Sequence, residues 1–585
     1  MPSFSEVFVR LPSNFWPATD IGRGMLMFSQ HFAEMLEQTT FESFRVYSLD
    51  TIARLDEALA LINDIVAKRV PEAALKAAID ELRWSLRRDP IAESLASTSL
   101  AAFEQCAKDQ QSKLSLLKAH IIILQKLLAP TYKSSLEAAL LECIDNARKR
   151  TSLRVLTAFY CSHLLTSGYS RSYISVLIQS SFFEKDMKRV SKRTLAAFFR
   201  NFNGKEKSFG VYTDVAKDFA YHLSSLDFEI LSPRTTPRDV IAAFETQPDR
   251  ILHEREVALD PYGAMLKVQQ TLSSIRAMTY LSPYGIICEW HEDMYVKLAR
   301  AKGGIRWPMS TVAFDRENKK SRPSGRRLRR TRTTAKRVLT SFDADSTKRL
   351  LSSINTAALA RSSQNMENQL ISMWSAIEVL LSEPEGSVRI THFIELMTPL
   401  ICLGHVRRQI TTFYNELTVS YRKRLQDVLK QAGPDDLPRI ALAATIMLPN
   451  PILQRQLTSV VADNPLALQR LHHAQKSFCN HEAIFKSIEA HEDRVRWQLS
   501  RIYRVRNNLV HAGRSPRNID SLIMNTTDYF RAAVAAIIGK ANKENHESSI
   551  DQTIAEIGID YTAFKKFFKE RNEPLTMAGV KMLVL

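Results

Sequence analysis

Two arginines, an amide and a histidine lie within eight residues near the C-terminus of this chain. Arg504, Arg506, Asn507 and His511 belong to the segment RVRNNLVHAG, residues 504–513. An arginine keeps its charge and grips a phosphate through two parallel N–H groups, whereas a histidine accepts or donates a proton near neutral pH. Every scissile phosphate of RNA has a 2′-hydroxyl beside it, so a proton shuttle and a fixed cation suffice for cleavage. The segment therefore predicts RNA cleavage that needs neither a metal ion nor another cofactor.

This segment ends a helix whose apolar residues follow a 4-3-3-4 spacing and predict a buried stripe. The stripe consists of Val495, Leu499, Ile502, Val505 and Leu509. At about 100° per residue, Arg504, Asn507 and His511 share the opposite face, while Arg506 is about 140° from His511. The helical wheel alone therefore favours Arg504 as the partner of His511. If Arg506 is the partner, its side chain reaches round the helix, the helix bends near Gly513, or the two residues meet across a dimer.

A purely structural explanation fits the same residues. A histidine in the last turn of a helix faces the negative end of the helix dipole. The following Ala512 and Gly513 fit a helix end with a left-handed glycine cap. Spacing alone does not separate this explanation from the catalytic one.

A second helix is predicted upstream, at residues 370–381. Its apolar face includes Trp374, Ile377 and Leu381, and Glu378 lies on that face. A carboxylate in such surroundings costs free energy unless it is paired. We expect its partner to be an arginine of the motif helix; the alternative is a carboxylate at the edge of the stripe, in water.

These two segments resemble the HEPN superfamily, the helical "higher eukaryotes and prokaryotes nucleotide-binding" domains, and in particular its Apea-like branch. The matching pieces are the W-x-A-x-E run at Trp374–Glu378 and the run of Tyr503, Arg506, Asn507, His511 and Gly513. The resemblance covers roughly residues 350–541, about a third of the chain. Roughly 110 residues between the two matched helices exceed what a minimal domain of this family needs, and residues 1–345 resemble no family.

The resemblance implies a metal-independent endoribonuclease that works as a homodimer or higher oligomer, with two motifs forming one composite site. His511 would transfer protons, Arg506 would stabilise charge on the phosphate, and Asn507 would orient either of them. Glu378 would hold an arginine in place, with Tyr503 and Arg504 in supporting positions. Products would carry a 2′,3′-cyclic phosphate. Proteins of this kind are frequently toxins or anti-phage (abortive infection) effectors, so a phage-derived trigger or regulatory partner is expected, with the N-terminal half as its sensor.

A strongly basic segment precedes the motif region. Residues 316–337 contain eleven Lys and Arg residues and one acid, a charge of +10 within a chain of net charge +18. Such a segment predicts RNA binding through phosphates, without base recognition because it has no aromatic residues. The alternative is a solvated linker. The candidate RNA-binding residues are Lys319, Lys320, Arg326, Arg327, Arg329 and Arg330.

Composition and proline placement predict a mainly α, multi-domain fold. At 585 residues the chain exceeds one ordinary core. We expect an N-terminal helical domain (1–194), a small α/β unit (195–312), a basic linker (313–345), a HEPN-like bundle (346–545) and a helical tail (546–585). In the α/β unit, residues 208–212, 228–231 and 284–290 are predicted strands, and residues 261–280 a helix.

Metal, disulfide and membrane classes are disfavoured. The histidines and cysteine at positions 472, 473, 479, 481 and 491 match no ligand spacing, and no cysteine belongs to a C-x-x-C pair. The longest apolar run is too short to cross a bilayer and no signal segment is evident. We therefore expect a cytoplasmic protein with no resident metal and no membrane partner.

Two other functions stay open. In one, a HEPN-type module without catalysis binds RNA, a nucleotide or a scaffold partner in a defence complex. In the other, the basic segment alone makes the protein a nucleic-acid-binding regulator. An intact histidine favours the nuclease, since a scaffold has no need of it.

Overall fold

The computed structural model describes residues 16–36, 49–109, 113–184, 189–244, 249–281, 288–299, 301, 303–308, 332–333, 340–363, 365–382, 389–433, 437–516, 519–541, 549–571 and 573–584. The fold is mainly α with one small antiparallel sheet, which confirms the predicted fold class. No single helix in the described part of the chain is both long and apolar enough to cross a membrane, although Leu114–Leu128 and Tyr132–Cys143 pass that test as a bent pair.

The N-terminal unit contains nine helices among the described residues. They are α1 (Asp20–Met35), α2 (Thr51–Val66), α3 (Leu75–Arg88), α4 (Pro90–Lys108), α5 (Leu114–Leu128), α6 (Tyr132–Cys143), α7 (Arg150–Thr166), α8 (Arg171–Ile178) and α9 (Lys192–Phe199). Prolines separate them as predicted: Pro90 opens α4, where its missing N–H costs nothing, and Asp89 caps that helix through the N–H groups of Ile91 and Ala92. One apolar core joins α1 to α6–α9, and a second lies among α2–α5.

The sheet unit follows between residues 207 and 308. Its elements are β1 (Lys207–Val215), α10 (Lys217–Ser225), β2 (Glu229–Leu231), α11 (Arg238–Ile241), β3 (Ile251–Ala258), α12 (Pro261–Met278), β4 (Trp290–Leu298) and β5 (Ile305–Pro308). All neighbouring strands are antiparallel, in the order β2-β3-β1-β4-β5. The first four strands, with α10 and α12, have the order of a split β-α-β unit, and β5 extends one edge.

Two strand predictions and the α12 helix are confirmed, and one strand prediction needs correction. Residues 284–287 of the strand predicted at 284–290 lie outside the described residues. Cys288 and Glu289 belong to no strand, and β4 begins at Trp290, where the prediction ended. The sequence also gave no sign of β3 and β5.

The C-terminal bundle contains eleven helices among the described residues. They are α13 (Ala344–Ser362), α14 (Met366–Leu380), α15 (Arg389–Cys402), α16 (His405–Ala432), α17 (Pro438–Met447), α18 (Pro451–Val460), α19 (Pro465–Ser477), α20 (His481–Ala512), α21 (Ile519–Ala541), α22 (Ile550–Glu570) and α23 (Met577–Val584). Asparagine side chains cap α18, α19 and α20. A single apolar core extends from Phe342 to Val584. The aromatic residues of the tail, including Tyr561, Phe564 and Phe568, contribute to this same core.

Candidate functional site

The motif lies on the last three turns of α20, a helix of 32 residues. Gly513 ends this helix in the left-handed conformation, with φ of 60°, and its N–H donates to the carbonyl of Leu509 at 3.1 Å. A left-handed glycine at this place is a common way to close a helix. The helix therefore ends after Ala512 instead of bending near Gly513, and His511 lies within its last regular turn.

Arg506 is held by two neighbours. Its Nη2 lies 3.3 Å from Oε2 of Glu378 on α14, and its Nη1 donates to Oδ1 of Asn507 at 3.0 Å. The other carboxylate oxygen of Glu378 accepts from Nε1 of Trp374 at 2.9 Å. The side chains of Arg506 and Glu378 are 21% and 13% exposed, so water reaches the pair from one side. Glu378 is thus paired with a motif-helix arginine, as its apolar surroundings predicted.

Tyr503 completes the packing beneath this pair. Its ring lies 5.6 Å from the fully buried ring of Trp374, at an angle of 58°. Aromatic pairs at such distances stabilise a contact by more than the area that they bury. The W-x-A-x-E run and the motif segment, which are more than a hundred residues apart, therefore meet in one contact.

Arg504 has a different partner, in the N-terminal unit. Its Nη2 donates to Oε1 of Glu57 on α2 at 2.8 Å. Glu57 also accepts from Arg501, with 2.7 Å between Oε2 and Nη2, and Arg501 in turn contacts Glu81 on α3. Arg54 donates from Nε to the same Glu81 at 3.1 Å. These five residues, Arg54, Glu57, Glu81, Arg501 and Arg504, form what we call the Glu57 cluster.

Contacts within the Glu57 cluster shift the pKa values of Glu57 and Arg501. Burial raises the pKa of Glu57, but the charges and hydrogen bonds of Arg501 and Arg504 outweigh burial and lower that pKa to about 2. Burial also lowers the pKa of Arg501, whereas Glu57 and Glu81 raise it above its ordinary value. Glu57 and Arg501 are therefore both charged at neutral pH. Neither Glu57 nor Glu81 was identified from the sequence; the only signal was a pair of charges, Arg54 and Glu57, on the helix face that carries the apolar stripe of α2.

His511 is exposed to solvent, together with Asn508 and Val510. On an ideal helix it lies about 140° from Arg506. Glu378 and Asn507 hold the Arg506 guanidinium on its own side of the helix, so the side chain does not reach round towards His511. The structure thus shows neither a bend near Gly513 nor an Arg506 side chain that reaches round the helix, and a meeting across two copies stays a prediction.

The basic segment contributes little to the described structure. Lys319, Lys320, Arg326, Arg327, Arg329 and Arg330 all lie outside the described residues. From residues 316–337 the structure describes Arg332 and Thr333, both of which are exposed. RNA binding by this segment remains a prediction.

The histidines between positions 472 and 491 are dispersed. His491 stacks on His405 with ring centroids 3.6 Å apart, and burial lowers its pKa. His481 packs against Phe567 and Phe568, and His472 and His473 are exposed. Within the described ranges, no group of three or more histidine, cysteine or acidic residues is placed to hold a metal ion.

No family model, no curated protein and no solved structure matches this chain. A function for this chain therefore has to follow from the chemistry of the site. That chemistry consists of an arginine fixed by a carboxylate and an amide, an exposed histidine one and a half turns later, and a second arginine held by the N-terminal unit.

Proposed function

We propose that this protein is a metal-independent endoribonuclease whose site forms between two copies of the chain. The observation that carries the proposal is the fixed position of Arg506 between Glu378 and Asn507, together with the exposure of His511 five positions later on the same helix. A preorganised cation stabilises negative charge that develops on a phosphate, and it needs no reorganisation at the moment of reaction. An exposed imidazole can exchange protons with a bound substrate.

The reaction requires one base and one acid. One imidazole removes the proton of the 2′-hydroxyl, and the 2′-oxygen attacks phosphorus. As the bond from phosphorus to the 5′-oxygen breaks, a second imidazole gives that oxygen a proton. The products are a 2′,3′-cyclic phosphate and a free 5′-hydroxyl. Each copy supplies one His511, so a pair of copies provides both groups.

The surrounding residues would position the reacting groups. Arg506 would bind the non-bridging phosphate oxygens, while Glu378 and Asn507 hold its guanidinium plane. Trp374 and Tyr503 keep α14 and α20 in register beneath it. This activity suits an anti-phage defence or toxin effector in the cytoplasm, and the N-terminal unit, which contacts the motif helix, is the candidate sensor of a trigger.

A non-catalytic RNA- or nucleotide-binding scaffold is the second candidate. It is favoured by the place of His511 in the last helical turn, where an imidazolium also stabilises the helix end. A scaffold would use Arg506 for phosphate binding and would not depend on proton transfer.

The test compares purified wild-type protein with His511→Ala and with His472→Ala, a matched exposed histidine on α19. All three are incubated with total RNA and with short single-stranded RNA in the presence of EDTA. We expect cleavage by the wild type and His472→Ala only, with cyclic phosphate ends. Equal cleavage by His511→Ala would remove the histidine from the mechanism, and RNA binding without cleavage by the wild type would favour the scaffold.

A further inference from the structure

Among the described residues, the N-terminal unit contacts the C-terminal bundle through three arginine-centred clusters and through the rings of Trp84 and Trp497, whose centroids are 5.7 Å apart. Arg470 on α19 contacts Glu34 on α1 as well as Glu416 on α16. Arg171 on α8 donates from Nε to Asp520 on α21 at 3.1 Å. The third contact is the Glu57 cluster. Contacts between domains that depend on ion pairs resemble transient interfaces more than permanent cores.

In the Glu57 cluster one carboxylate bridges two guanidinium groups. Oε2 of Glu57 lies 2.7 Å from Nη2 of Arg501, and Oε1 lies 2.8 Å from Nη2 of Arg504. Carboxylate and phosphate oxygens accept from arginine in the same short, charge-assisted geometry. Glu57 therefore has the position and charge that an RNA phosphate would have if it were bound between these two arginines.

The two arginines differ in their access to solvent. The side chain of Arg501 is 2% exposed, whereas those of Arg504 and Glu57 are 14% and 20% exposed. Arg501 and Glu57 also share a second hydrogen bond, from Nε to Oε1 at 3.0 Å. Arg501 can thus keep Glu57 in place by itself, and the contact with Arg504 forms the solvent-facing edge of the cluster.

Arg504 lies in line with the catalytic candidate. His511 follows Arg504 by seven positions, which places both on one face of α20, about 10 Å apart along the helix axis. Asn508, also on this face, is exposed. A single RNA strand that passes His511 along the helix surface would meet Arg504 next, and there it would meet the Glu57 carboxylate.

The charge of the cluster favours an added anion. Arg54, Arg501 and Arg504 supply three positive charges against the two carboxylates of Glu57 and Glu81. The Arg504–Glu57 pair is partly buried, with side chains 14% and 20% exposed, and an exchange of the Arg504 acceptor at this edge replaces one charge-assisted contact by another. At the inner end, where Arg501 is buried, such an exchange would be expensive.

We propose that Glu57 acts as a phosphate mimic that competes with RNA for Arg504, so that the N-terminal unit restricts the nuclease site until the contact is displaced. This inference depends on the proposed RNA substrate. RNA that gains Arg504 weakens the hold of the N-terminal unit on α20. By linkage, a partner that pulls the N-terminal unit away strengthens RNA binding to the same degree.

The test measures binding of a fluorescent single-stranded RNA by anisotropy, with every protein carrying His511→Ala so that cleavage does not interfere. Glu57→Gln is expected to bind RNA roughly five-fold more tightly and to steepen the dependence of log affinity on log salt by about 0.7, the value for one added phosphate contact. Adding Arg504→Gln to Glu57→Gln is expected to cancel both effects. Glu34→Gln, which weakens the Arg470 contact of the same two units, is the matched control and is expected to change neither.

Unchanged or weaker binding by Glu57→Gln would overturn the proposal, and so would equal tightening by Glu34→Gln, because that result would reflect general loosening. If Glu57→Gln does not fold, Arg504→Gln alone still tests the proposal, because Glu57 keeps its contacts with Arg501 in that variant. The proposal then requires that RNA affinity depend less steeply on salt in Arg504→Gln than in the parent protein. Binding is measured apart from cleavage, so a wild type that binds RNA without cutting it contradicts the nuclease but not the competition between Glu57 and RNA for Arg504. If none of these proteins binds RNA, that competition is contradicted.

Discussion

Arg504 and Arg506 are two residues apart on one helix, yet carboxylates from two different units of the fold hold them. Glu57 of the N-terminal unit binds Arg504, and Glu378 of α14 binds Arg506. Glu378, the partner of Arg506, lies on α14, the helix that carries the W-x-A-x-E run. Glu57, the partner of Arg504, lies outside the region of the resemblance. If the protein cleaves RNA as proposed, this difference in surroundings predicts different roles for the two arginines, with Arg506 at the reacting phosphate and Arg504 at a neighbouring one.

Substitution of the two arginines is therefore expected to affect different quantities, the rate of cleavage for Arg506 and the affinity for RNA for Arg504. Arg506→Ala is expected to lower the single-turnover rate of RNA cleavage by two to three orders of magnitude, since a fixed donor to a developing oxyanion is worth about 10²–10³ in rate. Arg504→Ala is expected to weaken RNA binding and leave the saturated rate within a few-fold of wild type. Arg496→Ala, earlier on the same helix, is the control. The assignment is reversed if Arg504→Ala slows the saturated rate and Arg506→Ala does not.

If the site needs both copies, the cleavage activity of a mixture of wild-type and mutant chains depends on the fraction of wild-type chains in a characteristic way. When wild-type and His511→Ala chains are co-expressed and randomly paired, cleavage should fall with the square of the wild-type fraction, because only pairs with two intact histidines have both base and acid. At half wild-type chains the expected activity is about a quarter, by random pairing of a symmetric dimer. A linear decrease to one half would show that each chain works alone.

Glu378 is expected to act through Arg506 and not on RNA itself. Glu378→Ala removes the acceptor of both Arg506 and Trp374, so cleavage should fall while RNA binding persists. Glu378→Gln keeps a carbonyl oxygen for these donors and should recover most of the lost rate. Loss of a partly buried hydrogen-bonded partner costs about 1–3 kcal/mol of stability, so thermal melting of both variants shows whether a lower rate reflects unfolding. Equal rates for the two variants would argue against a positioning role.

The sequence was sufficient to predict features that depend on the chemistry of one residue and its close neighbours along the chain. Pro90 and Pro438 open helices as their fixed φ requires, and the cost of a buried carboxylate correctly indicated an arginine partner for Glu378. The contact between Arg504 and Glu57 spans 447 positions and leaves no periodic trace. Strand β3 was missed because its central residues, His253 to Glu256, are all polar and show no apolar alternation.

Glu416, which contacts Arg470, should make the folded protein less stable as pH rises through the weakly acidic range. Burial raises the pKa of Glu416 to about 7, and the nearby Glu34 adds to this against the opposing charge of Arg470. Because this folded-state pKa lies above the ordinary value of 4.5, the folded protein keeps a proton that the unfolded chain loses. The free energy of unfolding should therefore decrease as pH rises from about 4.5 to about 7 and then level off.

Glu416→Gln removes this titration and keeps an oxygen that accepts from Arg470. Relative to wild type, the variant should melt at the same temperature near pH 4.5 and at a progressively higher temperature up to pH 7. The gain is expected to reach up to about 3 kcal/mol, at about 1.4 kcal/mol for each unit of pKa shift. Glu482→Gln, which removes an exposed carboxylate from α20, is the control and should show no such trend. A Glu416→Gln variant that is less stable than wild type at pH 8 would show that the charged carboxylate stabilises the folded protein through Arg470, which contradicts a raised pKa for Glu416.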